Sequence, residues 1–77
     1  MIWSVRWSGA CYVDIHRMHW RTAGRICHAV MVFAERESGH VQATRRGHLF
    51  RVPGAVALVR FDEATRTLEV QRIYATR

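Results

Sequence analysis

The chain has no lysine, one proline, two cysteines and only six acidic residues among its 77 residues. Two cysteines are too few for a disulfide framework, so reduced thiols in a cytoplasmic protein are expected. No apolar run approaches the roughly 18 residues that span a bilayer. Met1–Trp7 alternates, whereas a signal peptide joins a charged start to an apolar run. The sequence therefore predicts one cytoplasmic domain, residues 1–77, that is not embedded in a membrane.

Arginine supplies all twelve basic side chains, and the net charge is +6. Its planar guanidinium pairs with phosphate or carboxylate through two hydrogen bonds and stacks on rings. A coding bias towards arginine explains the absence of lysine, but it does not explain the excess of positive charge. That excess favours an anionic partner, which can be nucleic acid, the ribosome or an acidic protein.

Apolar segments bounded by Pro, Gly or Asp predict a three-stranded meander in the second half of the chain. The turns are predicted at Val52–Gly54 and Asp62–Arg66. The three segments are Gly47–Gly54, Ala55–Asp62 and Thr67–Tyr74.

Apolar residues at helical spacing predict a long helix before the meander, with Thr22 as its N-cap and Ser38-Gly39 as its stop. Its apolar stripe consists of Ala23, Ile26, Cys27, Val30, Phe33 and Ala34. A shorter helix is predicted over Ala10–Met18, and a strand with an aromatic face precedes it, containing Trp3 and Trp7. The polar segment His40–Arg46 links the long helix to the meander and has room for a short extended piece. The predicted fold class is α+β, with two helices packed on one face of a small antiparallel sheet.

These elements, in this order, resemble the RelE/ParE superfamily of toxins from bacterial type II toxin–antitoxin systems. The matching segments are Met1–Trp7, Trp20–Ala34, Phe50–Gly54, Ala57–Asp62 and Thr67–Arg77. The resemblance implies the order β-α-α-β-β-β. It also implies one of two activities: the RelE-like branch cuts mRNA in the ribosomal A site, and the ParE-like branch inhibits DNA gyrase. Both branches are neutralised by an antitoxin whose disordered segment folds over the toxin.

The resemblance places candidate catalytic residues at His48, Arg51 and Arg77. RNA cleavage needs proton transfer and cations that stabilise the charged transition state. Histidine can transfer protons near neutral pH, and arginine supplies positive charge. Val56 stands where the nucleases of the family carry a further arginine.

Candidate nucleic-acid-binding residues are Arg45, Arg46, Arg60 and Tyr74. Arg45-Arg46 is the one adjacent basic pair of the sequence. It lies in the link, where a loop can reach phosphates, although such pairs are also common on ordinary surfaces. The five histidines and two cysteines lack the paired spacing of a structural zinc site, so no metal and no cofactor are expected.

The sequence leaves three hypotheses open for the function. The first is a toxin that inhibits translation as an RNA endonuclease acting on ribosome-bound mRNA. The second is a non-enzymatic toxin that binds gyrase or another target, and the third is a catalytically degenerate member that binds only its antitoxin. All three predict a cognate antitoxin, acidic because the chain is basic.

Overall fold

The computed structural model describes residues 2–76 and contains two helices and five strands within that range. The elements in chain order are β1 (Ser4–Trp7), α1 (Gly9–His16), α2 (Trp20–Arg36), β2 (Val41–Thr44), β3 (Gly47–Val52), β4 (Ala55–Asp62) and β5 (Thr67–Ala75). None of the described helices is both long and apolar enough to cross a membrane.

The five strands form one mixed sheet in the order β1-β5-β4-β3-β2. The meander β3-β4-β5 is antiparallel, as the sequence predicted. The prediction of a purely antiparallel sheet is wrong in one pair, because β1 runs parallel to β5. The sheet also has one strand more than predicted, since part of the polar link, Val41–Thr44, pairs with β3.

One face of the sheet packs against the helices and forms the core. The alternation of the strands places Phe50, Ala57, Val59, Leu68 and Val70 on this face, and all five side chains are buried. The stripe of α2 joins them in one core, with Ile26, Val30 and Ala34 fully buried, and α1 packs on β5. The α+β class with helices on one face is therefore confirmed.

Both ends of α2 differ from the sequence prediction. The helix begins at Trp20, because His19 is the N-cap and its Nδ1 accepts a hydrogen bond of 3.2 Å from the backbone of Arg21. Thr22 therefore lies inside the first turn. The helix ends at Arg36, and the left-handed residue that follows it is Glu37 (φ 52°), two residues before Gly39 of the predicted stop.

The unusual backbone of Glu37 is explained by the contacts of its side chain. Its Oε1 accepts a 2.9 Å hydrogen bond from Trp3 Nε1 and lies 3.4 Å from Arg66 Nη2. The guanidinium carbon of Arg66 in turn lies 4.0 Å from the centre of the Trp3 ring. The start of the chain, the end of α2 and the β4–β5 turn are joined at this point.

Helix α1 is shorter than predicted and covers part of the edge of β5. Ser8 caps it by accepting from the backbone of Cys11 at 3.1 Å, and its hydroxyl donates to the Gln71 carbonyl at 2.7 Å. Asp14, only 7% exposed, accepts from the backbone N–H of Ile73 at 2.9 Å. Beyond the four residues that pair with β1, the backbone of β5 is thus partly satisfied by side chains from α1 and its cap.

Candidate nucleic-acid interface

The second face of the sheet has no helix over it and is called the open face below. Strand alternation places Arg51, Val56, Arg60 and Tyr74 here, opposite in direction to their buried neighbours. Val56 pairs with both Arg51 and Tyr74 across the strands. Three of the residues predicted to contact RNA, Arg51, Arg60 and Tyr74, therefore share one face.

A concave depression of about 430 Å³ lies on the open face and is called the arginine groove. It brings together Arg45, Arg46 and Tyr74, which were predicted separately as nucleic-acid-binding residues. The lining residues are Thr44, Arg45, Arg46, Leu49, Val56, Leu58 and Tyr74. No acidic side chain is among them, so the two arginines dominate the charge of the groove.

The β2–β3 hairpin holds the two arginines at the groove. Thr44 Oγ1 accepts from the backbone of Arg46 at 3.3 Å and donates to the Gly47 carbonyl at 2.9 Å, which closes the two-residue turn. Gly47 has a φ of +141°, and a Cβ placed there would lie 2.7 Å from the Val59 carbonyl oxygen. Only glycine fits this position without a shift of the backbone.

Tyr74 lies beside an ion pair between Arg72 and the buried carboxylate of Asp14. Arg72 donates to Asp14 through Nε (2.9 Å) and Nη2 (3.0 Å), and its guanidinium carbon lies 5.5 Å from the centre of the Tyr74 ring. The hydrogen bonds from Arg72, together with that from Ile73, lower the pKa of Asp14 although burial opposes the shift. The carboxylate is therefore kept ionised beneath the arginine that packs near Tyr74.

A second depression of about 350 Å³ on this side contains Arg51. Arg51 Nε donates to Gln42 Oε1 across the strands at 3.3 Å. His40, which precedes β2, lines the same depression. His40 was predicted only as part of a polar link, because its place beside Arg51 depends on the unpredicted pairing of β2 with β3.

His48 lies on the opposite face from Arg51. It is three residues away on the same strand, and a separation of an odd number reverses the side-chain direction. Its ring contacts Phe61 edge-on, with ring centres 4.9 Å apart. The prediction that His48 and Arg51 share one exposed face is therefore wrong. Arg77, the third predicted catalytic residue, lies outside the described residues.

Arg60 lies on the open face at a distance from the arginine groove. It borders a separate depression with Arg6, Asp62 and Glu69. Glu69 is directly opposite Arg60 in the strand pairing, and it also lies 4.0 Å from Arg6. The acidic neighbours partly neutralise this end of the face, so the strongest positive charge is at the Arg45–Arg46 end.

Metal-ligating side chains do not cluster in the described part of the chain. Within residues 2–76, no three His, Cys, Asp or Glu side chains are grouped so that they could hold a metal ion. Cys11 and Cys27 are free, and burial raises the pKa of both thiols. They act as small packing residues here.

In comparisons of sequence, no protein-family model matches the chain and no curated protein matches it significantly. In the comparison of structures, the chain matches the toxin–antitoxin complex RelBE2 from Mycobacterium tuberculosis with a TM-score of 0.76. The match covers 99% of this chain and 100% of the other, at 15% identity. The fold is RelE-like. At 15% identity the match shows the fold and does not extend to the chemistry.

Proposed function

We propose that this protein is the toxin of a type II toxin–antitoxin system and that it inhibits translation by binding RNA in the arginine groove. The observation that carries the proposal is the groove itself. Within a RelE-like fold, Arg45, Arg46 and Tyr74 line one depression on the helix-free face, and no acidic side chain lines it.

The chemistry of the groove suits single-stranded RNA. Arginine pairs with phosphate oxygens, and these contacts fix the position of a strand without reading its sequence. A tyrosine ring such as that of Tyr74, 43% exposed, can stack on an unpaired base. Leu49 and Leu58 give the floor of the groove an apolar surface against which a base can also pack.

We further propose that the protein cleaves the bound mRNA on the ribosome. It requires a group that moves a proton and cations beside the reacting phosphate. Arg51 supplies a cation on the open face, and His40 is the histidine that borders its depression. We therefore assign the proton-transfer role to His40 in place of His48, whose ring packs with Phe61 on the other face.

A non-cleaving toxin that binds gyrase is the second candidate. The observation that favours it is the separation of His48 from Arg51, which divides the predicted catalytic set between two faces. A protein with either activity, or with neither, is expected to bind an acidic antitoxin, because its own net charge is +6.

Induced expression without a partner tests the proposal. Growth arrest with new 5′ ends in cellular mRNA, mapped by primer extension, is the expected result. Growth arrest with intact mRNA and inhibited DNA supercoiling would instead indicate that the target is gyrase and not translation. Unaffected growth at confirmed soluble expression would contradict a toxin of either kind.

A pair of double variants tests the role of the arginine groove. Arg45→Ala with Arg46→Ala should abolish toxicity. Arg17→Ala with Arg36→Ala, at exposed positions where the two helices end, makes the same change in charge and should retain toxicity. His40→Ala should remove cleavage but leave RNA binding intact. His48→Ala should leave both cleavage and RNA binding intact. Equal toxicity of the two double variants would overturn the assignment of the groove.

A further inference from the structure

The two edges of the sheet are protected to different degrees. At one edge, β1 carries Arg6, and α1 covers the part of β5 that β1 does not reach. At the other edge, β2 is the last strand in the order and has the sequence Val-Gln-Ala-Thr. It contains no charged residue, no proline and no bulge, which are the usual devices that prevent a strand from being added.

An aromatic hollow of about 360 Å³ lies beside this edge on the helix side of the sheet. Val41 and Ala43 of β2 form one wall of the hollow, and α2 packs mainly over the neighbouring strands β3 and β4. Phe33, His48 and Phe61 form much of the remainder. Except for Glu63 at its border, the hollow presents apolar and aromatic surface that nothing covers in the described part of the chain.

Positive charge surrounds the same edge on the open-face side. Arg45 and Arg46 follow β2 directly, and Arg51 is held beside Gln42 of β2. An added strand would thus meet apolar surface on one side and arginines on the other. Because side chains of a strand alternate between the two sides, the matching sequence alternates between apolar and acidic residues.

We propose that the β2 edge binds an extended segment of a partner protein in which apolar and acidic residues alternate. The segment adds a sixth strand to the sheet through main-chain hydrogen bonds. Its apolar side chains enter the aromatic hollow, and its acidic side chains face Arg45, Arg46 and Arg51. The proposal goes beyond the RNA-binding function and does not depend on it, because a protein without toxic activity would present the same edge.

Calorimetry with synthetic peptides tests the proposal on the intact chain. The probe is a peptide of six Leu-Glu repeats, confirmed as monomeric by sedimentation. The control peptide consists of three Leu-Leu-Glu-Glu repeats, which keeps the composition and the charge and removes the alternation. We expect the alternating peptide to bind at least tenfold more tightly and to show the negative heat-capacity change of apolar burial.

Backbone methylation of the peptide tests strand addition without altering the protein. Two versions of the alternating peptide carry N-methyl groups on the odd or on the even residues. Only one set of N–H groups faces β2 in an added strand, so one version should lose binding and the other should retain it. Equal affinity of both versions, or no binding of the unmodified probe, would overturn the proposal.

A matched pair of variants locates the site. Ala43→Asp places a carboxylate at the β2 edge. Ser4→Asp makes the same charge change at an exposed residue of β1, the opposite edge strand. The first should weaken binding at least tenfold and the second less than twofold. Equal weakening would indicate a non-specific charge effect and contradict the proposal. Peptide binding that is blocked by self-association of the chain would assign the edge to a second copy instead.

Discussion

The two faces of the sheet use the same strands for opposite purposes. On the covered face, Val59, Leu68 and Val70 are fully buried beneath the helices. On the open face, the neighbouring residues Leu58 and Arg60 are half-buried and exposed. A single strand thus alternates between residues that stabilise the fold and residues that can contact a partner. Substitutions one position apart should consequently affect different properties.

The largest expected effect comes from a matched pair of valines on β4. Val59→Ala removes two methyl groups from a fully buried site and should lower the free energy of unfolding by about 2–3 kcal/mol, from lost burial plus a residual cavity. Val56→Ala removes the same atoms from the open face and should cost less than about 1 kcal/mol. Urea denaturation measures both values, and similar losses would contradict the division between the two faces.

Asp14 of α1 binds the backbone of β5 and also holds Arg72, which lies near Tyr74 on the open face. Its replacement therefore tests both faces of the sheet. Asp14→Asn should cost about 1–3 kcal/mol at neutral pH, because the N–H of Ile73 and the Arg72 fork lose an ionised acceptor. Since the pKa of Asp14 is lowered in the folded state, its contribution is complete above about pH 4, the ordinary range of an aspartate, and disappears as the pH falls further.

Thermal unfolding between pH 2 and pH 7 checks this prediction. Wild type should lose stability on acidification below about pH 4 more steeply than the Asp14→Asn variant. Parallel pH profiles would mean that Asp14 is not the group responsible. Tyr74 should also become more accessible to quenchers in the variant, as Arg72 is released from its partner.

Two glycine substitutions, one in the β2–β3 hairpin and one in α2, should change the stability in opposite directions. Gly47→Ala forces a Cβ against the Val59 carbonyl at a positive φ and should destabilise by about 1–3 kcal/mol. Gly24→Ala, within α2, meets no atom within 4 Å and should stabilise by about 0.5–1 kcal/mol. Melting temperatures of the two variants should therefore move in opposite directions from wild type.

The smallest expected effect on stability belongs to the arginine groove. Arg45→Ala and Arg46→Ala should each change the unfolding free energy by less than about 0.5 kcal/mol, as exposed substitutions usually do. Each should lower the slope of RNA affinity against salt by about 0.7, the value for one contact to a single-stranded phosphate. Fluorescence titration of a short RNA at several salt concentrations measures this slope, and an unchanged slope would exclude a phosphate contact.

Local patterns were sufficient to predict the meander and the stripe of α2. Pro53-Gly54 and the alternation of Ala55–Asp62 are encoded within a few residues, and so is the spacing of Ile26, Val30 and Ala34. The parallel pairing of β1 was not predictable in this way, because its partner Thr67 is far away in the sequence from Ser4.

The failure to predict His40 at the candidate site has the same origin, a pairing that no local pattern shows. Val41–Thr44 is too short and polar to predict a strand, and its pairing with Phe50 and Leu49 is what brings His40 close to Arg51. The face of His48, by contrast, could have been predicted, since Phe50 is an apolar residue two positions away on the same strand. The resemblance to a family placed His48 among the catalytic residues and outweighed this alternation.

The parallel pairing of β1 with β5 has a consequence for the synthesis of the protein. Ser4–Trp7 leaves the ribosome early, but its partner Thr67–Ala75 is made only after every other element of the sheet. Trp3 and the apolar residues of β1 must therefore remain without their partner strand throughout elongation, and such long-range pairings form slowly. The complete sheet, with Tyr74 in place at the groove, can form only after β5 has emerged. Until then, a growing chain consequently lacks the finished groove that we propose as the RNA-binding site.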